Sequence, residues 1–283
     1  MKNIFLLLFI GLSCISLAQS GKVVETYKVK SEILGMDRNF AVYFPPDYES
    51  SSRSYPVLYL LHGATDNHTG WVQYGEVLNI TDKAIREGIA TPMIIVMPDA
   101  DTKVMGYFNV PDYNYEDFFV KELIPHVEKT FRVRSHKRYR AVAGLSMGGG
   151  GSFMYALRHP ELFSSSCPLS AYIGPLTLEQ TKMQMKRQFP NGTDAQAESY
   201  FQNYNALNLL AKAKDDDVKS VKWFIDCGDD DFLYEGNSLM HIEMRKRNLP
   251  HEFRIRQGGH TWTYWRQALP EVLRFVSDTF HQN

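Results

Sequence analysis

The spacing of hydrophobic residues changes between strand and helix periods several times along the chain. Continuous apolar runs at 55–61 and 93–97 are typical of strands buried on both faces of a parallel sheet. Apolar residues three or four apart, as in 116–131, predict an amphipathic helix. Two alternating segments near the start, 23–30 and 39–44, predict an antiparallel pair of strands.

The rest of the chain continues this alternation of strands and helices. We predict further strands at 164–169, 222–226 and 252–256 and at the segment leading to Ser146, and further helices at 79–87, 147–159, 239–247 and 264–280. Residues 172–217 are polar and helix-prone without a strand signal, and they are interpreted as an insertion. The order of elements predicts an α/β fold, with a mostly parallel central sheet and helices on both faces. No repeat or low-complexity linker divides it, so residues 19–283 are predicted to form one domain.

The first 18 residues have the composition of a secretory signal peptide. Lys2 precedes an apolar core at 4–10, and small residues stand at the third and first positions before a cleavage site after Ala18. The core is too short to span a bilayer. Lipid attachment at Cys14 is less favoured, because residues 11–13 are a poor approach to a lipidated cysteine. We expect an exported protein, periplasmic or secreted.

Composition excludes several classes of partner. The net charge is −1, and no basic block or acidic tail occurs, so nucleic acid and anionic membranes are not expected partners. After cleavage about 265 residues remain, enough for one large α/β domain that needs neither metals nor disulfides for stability. Cys167 and Cys227 lie in apolar runs and are expected to be buried free thiols rather than a disulfide.

The segment around Ser146 carries the strongest chemical signal. Gly144 and Gly148 flank the serine at two residues on either side, and an apolar run precedes it. This pattern predicts a sharp strand-to-helix turn that raises a nucleophilic hydroxyl above the sheet. The N-terminus of the following helix offers unpaired N–H groups where an oxyanion forms.

A base for Ser146 should follow the C-terminal end of a strand, because ligands of open parallel sheets bind at that edge. His260 satisfies this condition, since it follows Gly258 and Gly259 directly after the last predicted strand. Other histidines lie on predicted helices, at the wrong end of a strand, in the tail, or upstream near the first parallel strand: His126, His159, His241, His251, His281, His62 and His68. His62 is expected to shape its own turn.

The acid that orients His260 should leave the preceding strand, where Asp229, Asp230 and Asp231 stand in a row. Spacing alone does not distinguish them. The order serine, acid, histidine is that of an α/β-hydrolase. For the oxyanion hole we predict the backbone N–H of Met147 and that of Ala64, with Gly63 as the second choice for the latter.

The chain resembles the esterase D family of α/β-hydrolases, which includes the feruloyl and acetyl-xylan esterases of carbohydrate esterase family 1. The resemblance covers nearly the whole mature chain and rests on four segments: Tyr59–Gly63, Gly144–Gly149, Cys227–Tyr234 and Gly259–Trp262. Family members tend to have Asp-Phe-Leu-Tyr in the third segment, which implies that Asp231 is the acid. The family also contains mycolyltransferases, siderophore esterases and S-formylglutathione hydrolases, so it implies the chemistry more narrowly than the substrate.

Aromatic residues in the loops near the predicted site suggest a flat or sugar-like ligand. We predict substrate contacts for Trp71, Tyr107 and Trp262, and ordinary packing for Trp265. The favoured function is an exported serine esterase that removes feruloyl or acetyl groups from plant polysaccharide, without cofactor or metal. The alternatives are a siderophore esterase, an acyltransferase with the same triad, and an inactive carbohydrate-binding relative.

Overall fold

The computed structural model describes residues 19–100 and 106–281. Its strands are β1 (Lys22–Ser31), β2 (Met36–Phe44), β3 (Val57–Leu61), β4 (Ile94–Pro98), β5 (Asn109–Val110), β6 (Tyr113–Asn114), β7 (Arg140–Leu145), β8 (Ser165–Leu169), β9 (Lys222–Gly228) and β10 (Glu252–Arg256). Within this part of the chain, β5 and β6 form a separate hairpin and the others form one sheet in the order β1-β2-β4-β3-β7-β8-β9-β10. β2 runs antiparallel to both of its neighbours, and all other pairs are parallel.

The helices lie between the strands. They are α1 (Gly70–Gln73), α2 (Val77–Arg86), α3 (Tyr115–Phe118), α4 (Ile124–Thr130), α5 (Met147–Arg158), α6 (Leu178–Gln188), α7 (Asp194–Tyr204), α8 (Ala206–Lys212), α9 (Asp215–Lys219), α10 (Tyr234–Lys246) and α11 (Trp262–His281). A π-helical segment, Phe119–Leu123, joins α3 to α4, and a 3₁₀ turn, Lys137–Tyr139, precedes β7. The predicted α/β fold with a mostly parallel sheet is confirmed.

Most predicted elements occur within a few residues of their predicted bounds, with three differences. The predicted helix over 116–131 is interrupted by the π-helical segment. Pro125, near the start of α4, has no N–H to donate to the preceding turn, which accounts for a change of helical register next to it. Helix α10 begins at Tyr234 rather than at 239, and the two-residue strands of the β5–β6 hairpin were too short to give a periodic signal.

The core consists of two apolar layers, one on each face of the sheet. Val142 belongs to the layer that contains α5 and the π-helical segment. Ala141 and Ala143 belong to the layer that contains α2 and α11. Successive side chains of a strand point to opposite faces, so burial on both faces gives the continuous apolar runs seen in the sequence. The packed layers on both faces therefore fix the positions of the strand ends at the C-terminal edge of the sheet, which belong to β3, β7, β8, β9 and β10.

The insertion predicted at 172–217 contains the helices α6–α8 and the start of α9, and it is tied to the core through Glu116. This carboxylate is 2% exposed and accepts hydrogen bonds from Arg158 Nε at 2.6 Å, His159 Nε2 at 2.8 Å and the Tyr204 hydroxyl at 2.9 Å. Burial raises the pKa of Glu116, but the bonds from His159 and Arg158 outweigh burial and lower it. Because Tyr204 ends α7, this ion pair network holds the insertion against α5.

Three further expectations concern the periphery of the fold. Cys167 and Cys227 are buried and not disulfide-bonded, as expected. None of the helices in the described ranges is long and apolar enough to cross a membrane. The predicted signal peptide and Cys14 lie outside the described residues.

Candidate active site

The turn between β7 and α5 holds Ser146 in a strained backbone conformation, with φ +55° and ψ −116°. The conformation is fixed by three hydrogen bonds: Ser146 N–H donates to Leu169 O at 2.9 Å, and Ser146 O accepts from Gly150 N–H at 3.0 Å and Tyr172 N–H at 2.9 Å. A Cβ on Gly144 would lie 2.5 Å from Gly148 O. The turn can therefore close only because residue 144 has no side chain.

His260 lies against Ser146, as the sequence predicts. It follows β10 after Gly258, whose φ of +136° suits glycine. The imidazole Nε2 lies 2.8 Å from Ser146 Oγ, and the side chain is 17% exposed. A hydroxyl that donates to a ring nitrogen at this distance can pass its proton to that nitrogen when it attacks a carbonyl carbon.

Of the three consecutive aspartates, Asp231 contacts His260. Its two carboxylate oxygens lie 3.0 and 2.9 Å from His260 Nδ1. The Asp229 carboxylate instead accepts a hydrogen bond from Gly258 N–H at 2.8 Å and so joins the loop after β9 to the loop after β10. Asp230 is exposed. Since Nδ1–H donates to Asp231, the His260 tautomer that leaves Nε2 free to accept a proton is favoured.

The environment of Asp231 keeps its carboxylate charged. The side chain is buried, and burial raises its pKa, but hydrogen bonds from His260, from the Leu233 N–H at 2.8 Å and from Ser170 outweigh burial and lower the pKa. A charged Asp231 stabilises the imidazolium that forms when His260 takes a proton. The arrangement Asp231–His260–Ser146 can therefore perform nucleophilic acyl transfer.

The two predicted oxyanion donors lie on turns that meet next to Ser146. Met147 is the first residue of α5, and Ala64 follows the end of β3. In the part of the chain that the structure describes, neither backbone N–H has a hydrogen-bond partner. Unpaired N–H groups beside a nucleophile can bind a developing negative charge.

His62 holds the turn before Ala64, which matches the structural role expected for it. Its ring is 1% exposed; Nδ1–H donates to Gly63 O at 2.8 Å, and Nε2 accepts from Ala100 N–H at 3.0 Å. Burial lowers its pKa, although the Gly63 carbonyl and the charge of Asp99 act in the opposite direction. A neutral His62 therefore links the turn that precedes Ala64 to the segment after β4.

Two of the three predicted substrate contacts are corrected by the structure. Trp71 is 1% exposed and donates its Nε1–H to Leu61 O at 3.0 Å. Tyr107 is fully buried, and its hydroxyl accepts from His62 N–H at 2.8 Å. Both side chains pack against the end of β3 and are buried there, so neither has exposed surface that could contact a ligand. Trp262 is half-buried, with its ring 5.2 Å from that of Trp71 at 88°.

Aromatic residues that were not predicted as ligand contacts surround His260 directly. The Phe232 ring lies 4.5 Å from the imidazole and is 72% exposed, and the Trp265 ring packs edge-on with its centroid 4.9 Å from that of His260. Trp265 Nε1–H donates to Ser170 Oγ at 3.0 Å. Phe232 adjoins Asp231 in the sequence, so the Asp-Phe-Leu-Tyr segment was the signal that could have identified it.

A cavity of about 290 Å³ opens beside this group. Its walls are the segment after β8 from Ala171 to Leu176, the start of α6, and the segment from Phe232 to Gly236. No cluster of three or more metal-ligating side chains occurs in residues 19–100 and 106–281.

The family model described as "Putative esterase" matches residues 31–276 of the chain. Among curated proteins, an endo-1,4-beta-xylanase/feruloyl esterase of Xylanibacter ruminicola is 36% identical over 140 residues, covering 47% of this chain and 19% of the relative. An esterase of Mycobacterium tuberculosis is 34% identical over 161 residues, covering 54% and 33%. The chain thus spans a third or less of the length of these relatives.

One solved structure matches over almost the whole of both chains. It is a ferulic acid esterase, 36% identical, with a TM-score of 0.83, covering 92% of this chain and 99% of its own.

Proposed function

The chain belongs to the esterase family whose model it matches, and from that premise we propose that it is an exported serine carboxylic-ester hydrolase that removes feruloyl or acetyl groups from plant polysaccharide. Two of the similar proteins are named as a feruloyl esterase and a ferulic acid esterase, which supports the feruloyl group as the acyl group. The composition of residues 1–18 supports export.

The observation that carries the proposal is the hydrogen-bonded series Asp231–His260–Ser146, with Ser146 on a strained turn. His260 Nε2 accepts the proton of Ser146 Oγ as that oxygen attacks the ester carbonyl. The carbonyl oxygen becomes an anion and accepts hydrogen bonds from the N–H groups of Met147 and Ala64. Asp231 keeps the imidazole in the required tautomer.

Collapse of the tetrahedral intermediate breaks the bond to the alcohol. His260 donates its proton to the leaving oxygen, and the acyl group stays on Ser146 as an ester. Water then attacks this acyl-enzyme, with His260 accepting the water proton and returning it to Ser146 Oγ. The acid is released and the enzyme regains its starting state without a cofactor.

Three esters tested in parallel examine the proposal: methyl ferulate, an acetylated xylo-oligosaccharide and a siderophore ester. We expect turnover of a ferulate or acetyl ester, and its loss in Ser146→Ala. Turnover of the siderophore ester alone would replace the proposed substrate class, and transfer of the acyl group to an added alcohol in preference to water would indicate an acyltransferase. No turnover of any of these esters or of p-nitrophenyl acetate would indicate an inactive binding relative.

A further inference from the structure

Residues that line the cavity beside Phe232 contact the proposed catalytic residues directly. Its wall residue Tyr172 donates its N–H to Ser146 O at 2.9 Å. Its wall residue Leu233 donates its N–H to Asp231 Oδ1 at 2.8 Å. Phe232 lies against the His260 ring at 4.5 Å. The cavity is therefore lined by residues that contact the proposed nucleophile, acid and base through backbone hydrogen bonds or ring packing.

The order of strands decides which part of an ester faces the cavity. β3 and β8 flank β7 on opposite sides, so the turn of Ala64 and the cavity after β8 lie on opposite sides of Ser146. An ester whose carbonyl oxygen points toward Ala64 directs another substituent toward the cavity. His260 must reach the leaving oxygen to protonate it, and Phe232 borders both His260 and the cavity. The alcohol is the substituent that meets both conditions.

The cavity wall combines an aromatic face with hydrogen-bonding groups. Gln184 Oε1 accepts from the Tyr172 hydroxyl at 2.8 Å, and Gln180 Oε1 accepts from Leu176 N–H at 3.0 Å. Within the described ranges the NH₂ groups of both glutamines have no protein partner, so they are available as oriented donors. Glu235 adds an exposed carboxylate as acceptor.

This combination suits a sugar, since a pyranose or furanose ring presents an apolar face and a rim of hydroxyl groups. A volume of about 290 Å³ lies just below the range of small-molecule sites, which is about 300–1,000 Å³. It accommodates one monosaccharide rather than a longer oligosaccharide. We propose that the cavity formed by Tyr172, Gln180, Gln184, Phe232 and Glu235 binds the sugar residue that carries the ester. This inference rests on the proposed function and specifies which part of its substrate the α6 insertion recognises.

The test compares two esters that differ only in the alcohol: the methyl ester and the pentosyl ester of one acid, either ferulic or acetic acid. Wild type is expected to prefer the pentosyl ester. Gln184→Ala and Glu235→Ala should each lower kcat/KM for the pentosyl ester about three- to tenfold, the effect of one or two lost hydrogen bonds. The methyl ester should change less than about twofold, since it leaves the cavity empty. Glu243→Ala removes a partly exposed glutamate further along α10 that pairs with Lys246 and does not line the cavity; it is the matched control and should affect neither ester.

Equal losses on both esters would overturn the inference, because they would mean that the cavity binds the acyl group or that the variants disturb the catalytic residues. Unchanged kinetics on the pentosyl ester would also overturn it. A wild-type enzyme that hydrolyses neither ester of either acid contradicts the proposed function itself, which is a different result from active enzyme without alcohol discrimination. Thermal unfolding of each variant separates loss of fold from loss of binding.

Discussion

Gly148 and His62 lie so close together that a Cβ on Gly148 would be 2.6 Å from the His62 carbonyl oxygen. The contact joins the first turn of α5 to the turn after β3. Ser146 and Met147 belong to one of these turns and Ala64 to the other. The spacing between Ser146 and the proposed oxyanion donors therefore depends on the absence of a side chain at residue 148.

Gly148→Ala should separate the two turns, because backbone cannot yield as a flexible side chain can. We expect kcat to fall at least about a hundredfold, the order of effect seen when one oxyanion donor is displaced, and the free energy of unfolding to fall by about 1–3 kcal/mol. Ester hydrolysis and urea denaturation measure the two effects. Gly35→Ala is the control: Gly35 has a φ of +66° but open space around it, so only stability should change. Full activity in Gly148→Ala would contradict the proposed oxyanion geometry.

Ser146→Ala should lower kcat about 10⁴- to 10⁶-fold without unfolding the protein, because the attacking oxygen is lost. His260→Ala should be nearly as inactive, and the double variant should be little worse than either single one, since the two side chains act as a unit. Labelling by a fluorophosphonate should disappear in Ser146→Ala and persist in Ser50→Ala, an exposed serine. If the losses of the two single variants multiplied in the double variant, a histidine other than His260 would be the base.

Asp231→Asn should lower kcat on the order of 10³- to 10⁴-fold, because an amide in place of the carboxylate favours the wrong imidazole tautomer. Asp229→Asn keeps an oxygen that can accept from Gly258 N–H, and Asp230 is exposed, so these two changes should cost less than about tenfold. Steady-state kinetics of the three variants on one ester decide the matter. The assignment is wrong if either neighbour proves more damaging than Asp231.

Glu116 should make stability depend on pH. The pKa of Glu116 is lowered in the folded protein, so below the ordinary glutamate value of about 4.3 the unfolded chain binds its proton first. The stability contributed by Glu116 is therefore present above that value and is lost as the pH falls through the folded-state pKa.

Glu116→Gln should lower the free energy of unfolding by about 1–3 kcal/mol at pH 7, since charged hydrogen bonds from Arg158 and His159 are weakened. Urea denaturation at pH 7, 5, 4 and 3 should show a gap to wild type that is constant down to about pH 5 and narrows below the ordinary glutamate pKa of about 4.3. Glu243→Gln, at a partly exposed position in a surface ion pair with Lys246, should show little gap at any pH. A gap for Glu116→Gln that stays constant with pH would mean that the carboxylate titrates alike in both states.

The local sequence pattern was sufficient to predict most of the strands and helices and two of the residues that the structure brings together, Ser146 and His260. Strand β3 could be predicted because it is covered on both faces, which makes its sequence continuously apolar. The turn at Ser146 could be predicted because its glycines stand at fixed separations from the serine. His260 could be selected because the end of a parallel strand defines where it lies. These are properties of short segments, which propensity and steric exclusion determine before the chain is folded.

Only the tertiary structure decided how deeply each side chain is buried and which side chains contact one another. Spacing along the chain does not distinguish the three adjacent aspartates, and only the family resemblance favoured Asp231. The packing of the loop after β9 against the loop after β10 is what directs Asp231 rather than Asp229 toward His260. Trp71 and Tyr107 were expected at the surface because their segments are loops, yet both are buried beneath the end of β3. The sequence places an aromatic ring next to a site but does not say which side of it faces solvent, because that depends on contacts between segments far apart in the chain.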